Sequence, residues 1–293
     1  MTSPTSPIAD RVRDFLYRLP LERQAGRQLR RLADGGVVGD WFGCELSSVF
    51  QPIVEPSSDH VVGHEAFLRC LGGGRRDLSP WMLFSADADD DRLIALDRLA
   101  RTVHALNFIA SVGDDGLLFL NVHGRLLAAV AGDHGAAFSK VVDALGFPPE
   151  RVVIEAPVVA SRQVDLLSFV LRNYRQNGFR VAVNVESVSQ WQTLAGSVPA
   201  DFIKIGTAAL QAEGDAGEAL DALRARAGSA RVIVTRVEDR ASVNLSQGVL
   251  AQGFAYGAPF GRPAVCSPLR FAVRREEGVG GGVGAIGWVP VSG

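Results

Sequence analysis

From Cys44 onward, short apolar runs alternate with stretches of helical periodicity, and nearly every run carries a polar residue close to its end. The runs are SSVFQPIV, VVGHEAFLR, LLFLNV, RVVIEAP, RVAVNV, DFIKIG, RVIVTRV and GFAYGAPF. Short continuous apolar runs of this kind are what strands buried on both faces require. The first two lie close enough to form a hairpin around EPSSDH. Helix candidates stand between the others. DDRLIALDRLARTVHALNFIASV repeats Leu93, Leu96, Leu99, Val103 and Leu106, and VDLLSFVLRNYRQNG ends on a glycine suited to a helix C-terminus. AGEALDALRARAG and DRASVNLSQGVLAQG follow. Repeated strand–helix units predict a parallel sheet. About eight strands in roughly 230 residues favour a closed, TIM-like (β/α)8 barrel over an open doubly wound sheet. No GxGxxG follows the early strands, which also argues against a dinucleotide-binding domain of Rossmann type.

The ends of the chain differ from this pattern. Ile8, Val12, Phe15, Leu16 and Leu19 fall on one helical face, and Pro20 ends or kinks that helix. LERQAGRQLRRLADGG predicts a second, Arg-rich helix closed by Gly35 and Gly36. The expected organisation is an N-terminal helical arm over residues 1–40, a barrel over 41–275 and a Gly-rich tail over 276–293. In the tail, Ile286, Trp288 and Val291 are too apolar for a purely solvated segment, and docking on the chain's own barrel is the plainer expectation.

Composition narrows the partners. A formal charge of -2 gives no global reason to expect nucleic acid or an anionic membrane. Cys44, Cys70 and Cys266 are an odd set without CxxC spacing, so a disulfide framework and a structural zinc site are not expected. With no apolar segment of signal or membrane-spanning type at hand, the expected location is the cytoplasm. The only lysines are Lys140 and Lys204, and Lys204 stands inside an apolar run.

In a (β/α)8 barrel the chemistry sits at the C-terminal ends of the strands. Those ends carry Glu65, Asn121, Glu155, Asn184, Lys204, Thr235 and Tyr256. One such residue is commonly a hydrogen-bonded core polar group, but seven in register point to a site. Oxygen donors suit a hard cation such as Mg²⁺, Mn²⁺ or Ca²⁺, and a buried lysine suits a phosphate or a polarised water.

FQPIV followed by HEAFLR resembles the opening of the EAL domain, the cyclic di-GMP phosphodiesterase family. The similarity runs on through LLFLNVHGRLL, RVVIEAP, NGFRVAVNVES, DFIKIG, VIVTRVED and AYGAPFGRP, over roughly residues 45–265. It implies a barrel whose first strand is antiparallel, binding cyclic di-GMP across its mouth. Active members cut one phosphodiester bond with two Mg²⁺ or Mn²⁺ ions. By the resemblance, Glu65, Asn121 and Glu155 match metal ligands, and Lys204 matches the lysine that holds the attacking water. Phe67 replaces the Leu of the motif.

Other positions depart from the family. Its Asp-Asp pair falls on Asn184 and Val185, its general base on Thr235, and the acid of its KID motif on Gly206. The Gln of its QGY motif falls on Tyr256, and the Thr and Glu after the second ligand Glu fall on Pro157 and Val158. Glu186, two residues beyond Asn184, is the one substitute ligand the sequence offers. A two-metal site needs bridging carboxylates to hold dications about 3.5–4 Å apart, and losing a general base alone costs on the order of 10²–10⁴ in rate. The expectation is therefore a degenerate, catalytically inactive domain that requires no cofactor. Magnesium or manganese is the candidate occupant of a remnant site at Glu65, Asn121 and Glu155.

Ligand contacts are a separate set. The resemblance implies that Gln51 and Asp97 face guanine bases and that Arg69 faces a phosphate. It also implies that Phe67 and Leu68 pack on the ligand, and that Phe260, Arg262 and Pro263 close over the second base. Each has a plainer alternative: Gln51 satisfying backbone groups, Arg69 paired with Glu65, Asp97 paired with Arg98 or Arg101. Two functions stay open. One is a regulatory protein that works through a protein partner and also receives cyclic di-GMP. The other is an interaction module that binds no nucleotide. The partner would meet the arm, the barrel surface or the tail. A weakly active phosphodiesterase is the outsider. Trp191 is expected in the core rather than at an interface.

Overall fold

The computed structural model describes residues 7–24, 27–72, 77–78, 90–112, 116–125, 135–158, 163–241, 245, 248–261, 271–273 and 288–290. Its centre is a closed barrel of eight strands. In chain order the strands are β1 (Leu29–Arg31), β2 (Val37–Trp41), β3 (Cys44–Glu55), β4 (His60–Leu71), β5 (Asp77–Leu78), β6 (Leu117–Asn121), β7 (Val152–Ala156), β8 (Arg180–Val185), β9 (Phe202–Gly206), β10 (Arg231–Thr235), β11 (Leu250–Ala251), β12 (Phe271–Val273) and β13 (Trp288–Pro290). The helices are α1 (Pro7–Tyr17), α2 (Asp90–Val112), α3 (Ala136–Leu145), α4 (Val164–Gln176), α5 (Val188–Leu194), α6 (Thr207–Ala212) and α7 (Ala216–Ala225).

The barrel runs β3-β4-β6-β7-β8-β9-β10-β11 and closes where β11 meets β3. From β4 through β6 to β11 all neighbours are parallel. β3 is antiparallel to both β4 and β11, as expected of the first strand. β1 and β2 extend the sheet outward from β3, and β12 pairs with β13 in a separate two-stranded sheet.

Strand alternation builds the core in two shells. Inside the barrel, Ile53, Leu117, Phe119, Val153, Ala182, Phe202, Ile233 and Leu250 pack together. Outside it, the alternate residues, such as Leu118, Ile154, Val181, Val183, Ile203 and Val234, meet the helices. α2 covers β2, β3 and β4 with Leu96, Leu99 and Val103 against Trp41, Leu46 and Cys70. Trp191 is core, and its indole N–H donates to the Arg226 carbonyl at 3.0 Å.

Three expectations are corrected. The second helix is instead the hairpin β1–β2. Asp34 accepts from the Gly36 N–H at 2.9 Å, and Gly35 takes the left-handed conformation (φ 88°), so the ADGG segment reverses a hairpin rather than ending a helix. Val37, Val38 and Trp41 are then buried against the barrel, a gain that outweighs local helix preference. The segment from Asp239 is not a helix in its described residues: it turns at 239–241 and re-enters as the short β11. GFAYGAPF is not the last barrel strand. It follows β11 as turns, touching the barrel through a backbone bridge between Phe260 and Phe50.

Candidate active site at the barrel mouth

The inward face of each strand changes from apolar to polar within two residues. Phe119 is followed by Asn121, Val153 by Glu155, Ala182 by Asn184, Phe202 by Lys204, Ile233 by Thr235 and Leu250 by Gln252. Side chains two apart on a strand point the same way, so these polar groups form a layer directly above the apolar plug. β3 runs the other way, and its Gln51 joins the layer opposite Glu65 of β4.

A charge cluster occupies the middle of this layer. The Lys204 ammonium donates to Glu65 Oε2 at 2.6 Å and to Glu155 Oε1 and Oε2 at 2.7 and 2.8 Å. Asn121 Nδ2 donates to Glu65 Oε1 at 2.6 Å, and Gln252 Nε2 donates to Glu65 Oε2 at 2.8 Å. Asn184 donates to the Ala156 carbonyl at 2.9 Å, and Thr235 donates to the Ile205 carbonyl at 3.3 Å. The Phe119 ring lies beneath the ammonium, 5.8 Å from its centroid.

Burial sets the protonation of the cluster. Desolvation pushes Glu155 up, the neighbouring Glu65 charge pushes it further, and Lys204 offsets only part of this, leaving it at about 7. Burial also acts to raise Glu65, but the Lys204 charge and the hydrogen bonds from Lys204, Asn121 and Gln252 outweigh it and hold that carboxyl below its ordinary value. Desolvation acts to lower Lys204, and the two carboxylates reverse this, so it stays charged.

The metal question rests on these groups. Glu65 and Glu155 supply at most two negative charges, and Lys204 cancels one. Among the described residues, no three His, Cys, Asp or Glu side chains cluster as a metal site would require. Val185 faces the outer core, in one cluster with Val188 and Trp191, so the strand aims it away from the mouth. Glu186 is exposed and takes no part in the hydrogen bonds of the Lys204 cluster. This donor set does not fit two bridged dications.

The expected ligand residues divide. Gln51 reaches the mouth, but its amide donates to the Gly257 carbonyl at 3.1 Å and accepts from Gln252 at 3.3 Å. Asp97 is buried and ion-paired with Arg101, which also donates to the Tyr174 hydroxyl at 3.2 Å. Phe67 is half-buried and Arg69 exposed, both on the alternation that carries Glu65. Leu68 is on the opposite face and packs beside Trp41, Leu46 and Cys70. Phe260 is 65% exposed, while Arg262 and Pro263 lie outside the described residues.

Gln252 is the residue missed in the sequence, and it replaces Tyr256 as the last strand-end group. The last barrel strand ends at Ala251, so the strand-end position belongs to Gln252 of VLAQG. Tyr256 lies in the following turn under the Arg240 guanidinium, 4.6 Å from the ring centroid. The Leu250-Ala251-Gln252 alternation was the available signal, but two strand residues are too few to stand out.

With this geometry in hand, comparison with known proteins is decisive. The family model of the EAL domain matches residues 42–259. The chain belongs to the EAL domain family. The match ends before Phe260, Arg262 and Pro263. No curated protein matches the chain. Among solved structures, the Bacillus subtilis YkuI protein, with an EAL domain in complex with substrate cyclic di-GMP and calcium, is 22% identical, with a TM-score of 0.57 over 75% of this chain and 57% of that one. Klebsiella pneumoniae BlrP1, in a manganese and cyclic di-GMP complex, is 19% identical, with a TM-score of 0.59 over 82% and 57%. A standalone EAL protein from Vibrio cholerae O395 in its cyclic di-GMP-bound form is 17% identical, with a TM-score of 0.57 over 76% and 95%. The chain thus spans little more than half the length of the Bacillus and Klebsiella proteins. At these identities the likeness establishes the fold. Among the described residues, no helix is long and apolar enough to cross a membrane.

Proposed function

We propose that this EAL domain is a catalytically inactive regulatory protein in cyclic di-GMP signalling, acting through contacts with a protein partner and receiving cyclic di-GMP at the barrel mouth without a metal. The observation that carries the reading is the Lys204 ammonium bound between Glu65 and Glu155, in a layer whose other strand ends are Asn121, Asn184, Thr235 and Gln252. Hydrolysis in the family pattern needs carboxylates that bridge two dications and a general base. This chain offers an amide, a valine, a glycine and a hydroxyl at those positions, none of which takes up a proton near neutrality. Magnesium or manganese held at Glu65, Asn121 and Glu155 would supply one weak Lewis-acid centre, in competition with Lys204.

Reception of the nucleotide is supported by what stays open at the mouth. Arg69 is exposed on the mouth face, and a guanidinium is shaped for phosphate. A second reading, an interaction module that binds no nucleotide, is favoured by a different observation. Gln51 and Asp97, the two groups the family aims at guanine, are already satisfied by Gly257, Gln252 and Arg101.

Calorimetric titration with cyclic di-GMP, in Mg²⁺ and again in EDTA, separates the two. The receptor reading predicts equal binding in both buffers and its loss in Arg69→Ala. Absence of heat in both buffers would leave the interaction module.

A further inference from the structure

Cys44 opens β3, and Cys70 stands one residue before the end of β4. Leu46 lies opposite Cys70 in the antiparallel register, so Cys44 is its diagonal neighbour on the same face. That face is turned toward α2. Cys70 is buried among Trp41, Leu46, Leu96, Leu99 and Val103, and Cys44 packs against the same cluster. Both are free thiols. As core fillers, two cysteines have no reason to be adjacent, because any small apolar residue packs as well. Their exposure also differs: Cys44 is half-buried, while Cys70 is sealed, its thiol pushed up to about 12 by burial and by Cys44.

We propose that Cys44 and Cys70 are a reversible thiol–disulfide switch, with Cys44 the sulfur that meets a peroxide oxidant and Cys70 the sulfur that resolves it. The Cys44 thiolate attacks one peroxide oxygen, the O–O bond breaks, and the leaving hydroxide takes a proton to become water. The Cys70 sulfur then displaces the oxygen from the Cys44 sulfenic acid, forming the S–S bond and releasing a second water. Two thiols lose one electron each, and hydrogen peroxide gains both.

The strand geometry makes the bond a reversible one. Diagonal positions across an antiparallel pair are about 7–8 Å apart, whereas a disulfide spans Cα atoms about 4.4–6.8 Å apart. Closure therefore draws the ends of β3 and β4 together, and strained disulfides are readily reduced. The movement reaches the mouth directly, because Arg69 adjoins Cys70 on the strand that carries Glu65.

The test uses the full chain with Cys266→Ser, so that only this pair of thiols remains. It is exposed to stoichiometric hydrogen peroxide, alkylated and peptide-mapped. The expected result is a Cys44–Cys70 linked peptide that a dithiol reductant dissolves. Cys70→Ser is expected to leave Cys44 as a trapped sulfenic acid, and Cys44→Ser to leave Cys70 reduced. Recovery of both cysteines as alkylated thiols, or conversion of Cys44 to sulfinic acid while Cys70 is present, would overturn the proposal.

Discussion

The Lys204 ammonium and the Glu155 carboxylate meet through both carboxylate oxygens, at 2.7 and 2.8 Å, with 2% and 1% of their side chains exposed. A charge pair this deep is worth less for the energy it adds than for the cost of breaking it, because the orphaned partner stays desolvated.

Lys204→Met is accordingly expected to destabilise the barrel by about 3–5 kcal/mol at pH 8, leaving Glu65 and Glu155 buried without their cation. At pH 5 the loss is expected to be smaller, because Glu155 protonates. Urea unfolding at the two pH values reads both. Equal losses would remove the charge argument.

Glu155 also sets a pH slope. Its folded value of about 7 lies above its ordinary 4.5, so the folded state binds a proton the unfolded chain releases. This contribution to stability is fully present below about pH 4.5 and is lost as pH rises through about 7, on the order of 3 kcal/mol. Glu65, held low, acts in the opposite sense, its share being lost as pH falls below its ordinary 4.5. Between pH 5 and pH 8, Glu155→Gln is expected to flatten the loss relative to the parent chain, as measured by urea midpoints across that range.

On the acid side, two buried imidazoles oppose Glu155. Burial lowers His64 to about 4 and His104 to about 3, so both rings stay neutral while the unfolded chain takes up protons below 6.5. Their contribution is present above pH 6.5 and falls as pH drops toward 4. His104, whose Nδ1 lies 2.7 Å from the Ser48 hydroxyl, supplies about 1.4 kcal/mol per pH unit of that slope. His104→Gln is expected to remove it, as read from thermal midpoints between pH 4 and pH 7.

Asp97 separates structural from ligand-facing roles. Asp97→Asn leaves Arg101 buried without its anion and is expected to cost about 3–5 kcal/mol of stability. The same variant should change cyclic di-GMP affinity less than Arg69→Ala does. A large affinity loss with unchanged stability would return Asp97 to the ligand.

The barrel was legible in the sequence because its inner strands are short, continuous apolar runs that recur between helical stretches. Their last inward residues, Asn121, Glu155, Asn184, Lys204 and Thr235, stand out against Phe119, Val153, Ala182, Phe202 and Ile233. Legibility failed where an element is set by closure rather than by its own pattern. β11 is two residues held between β10 and β3, so Gln252 carried no local signal. The β1–β2 hairpin has the glycine pair of a helix end and becomes a hairpin only because β3 offers an edge to pair with. The Asp97–Arg101 pair was anticipated as an alternative, since i,i+4 spacing on a helix permits it, but its burial depends on tertiary neighbours such as Tyr174 and Phe138.

The most direct measurement is a single-turnover incubation of stoichiometric protein and cyclic di-GMP with Mn²⁺, followed by chromatographic separation of cyclic and linear dinucleotide. The account predicts that the cyclic form is recovered intact. Linear dinucleotide that accumulates with time, and vanishes in Lys204→Met, would contradict it.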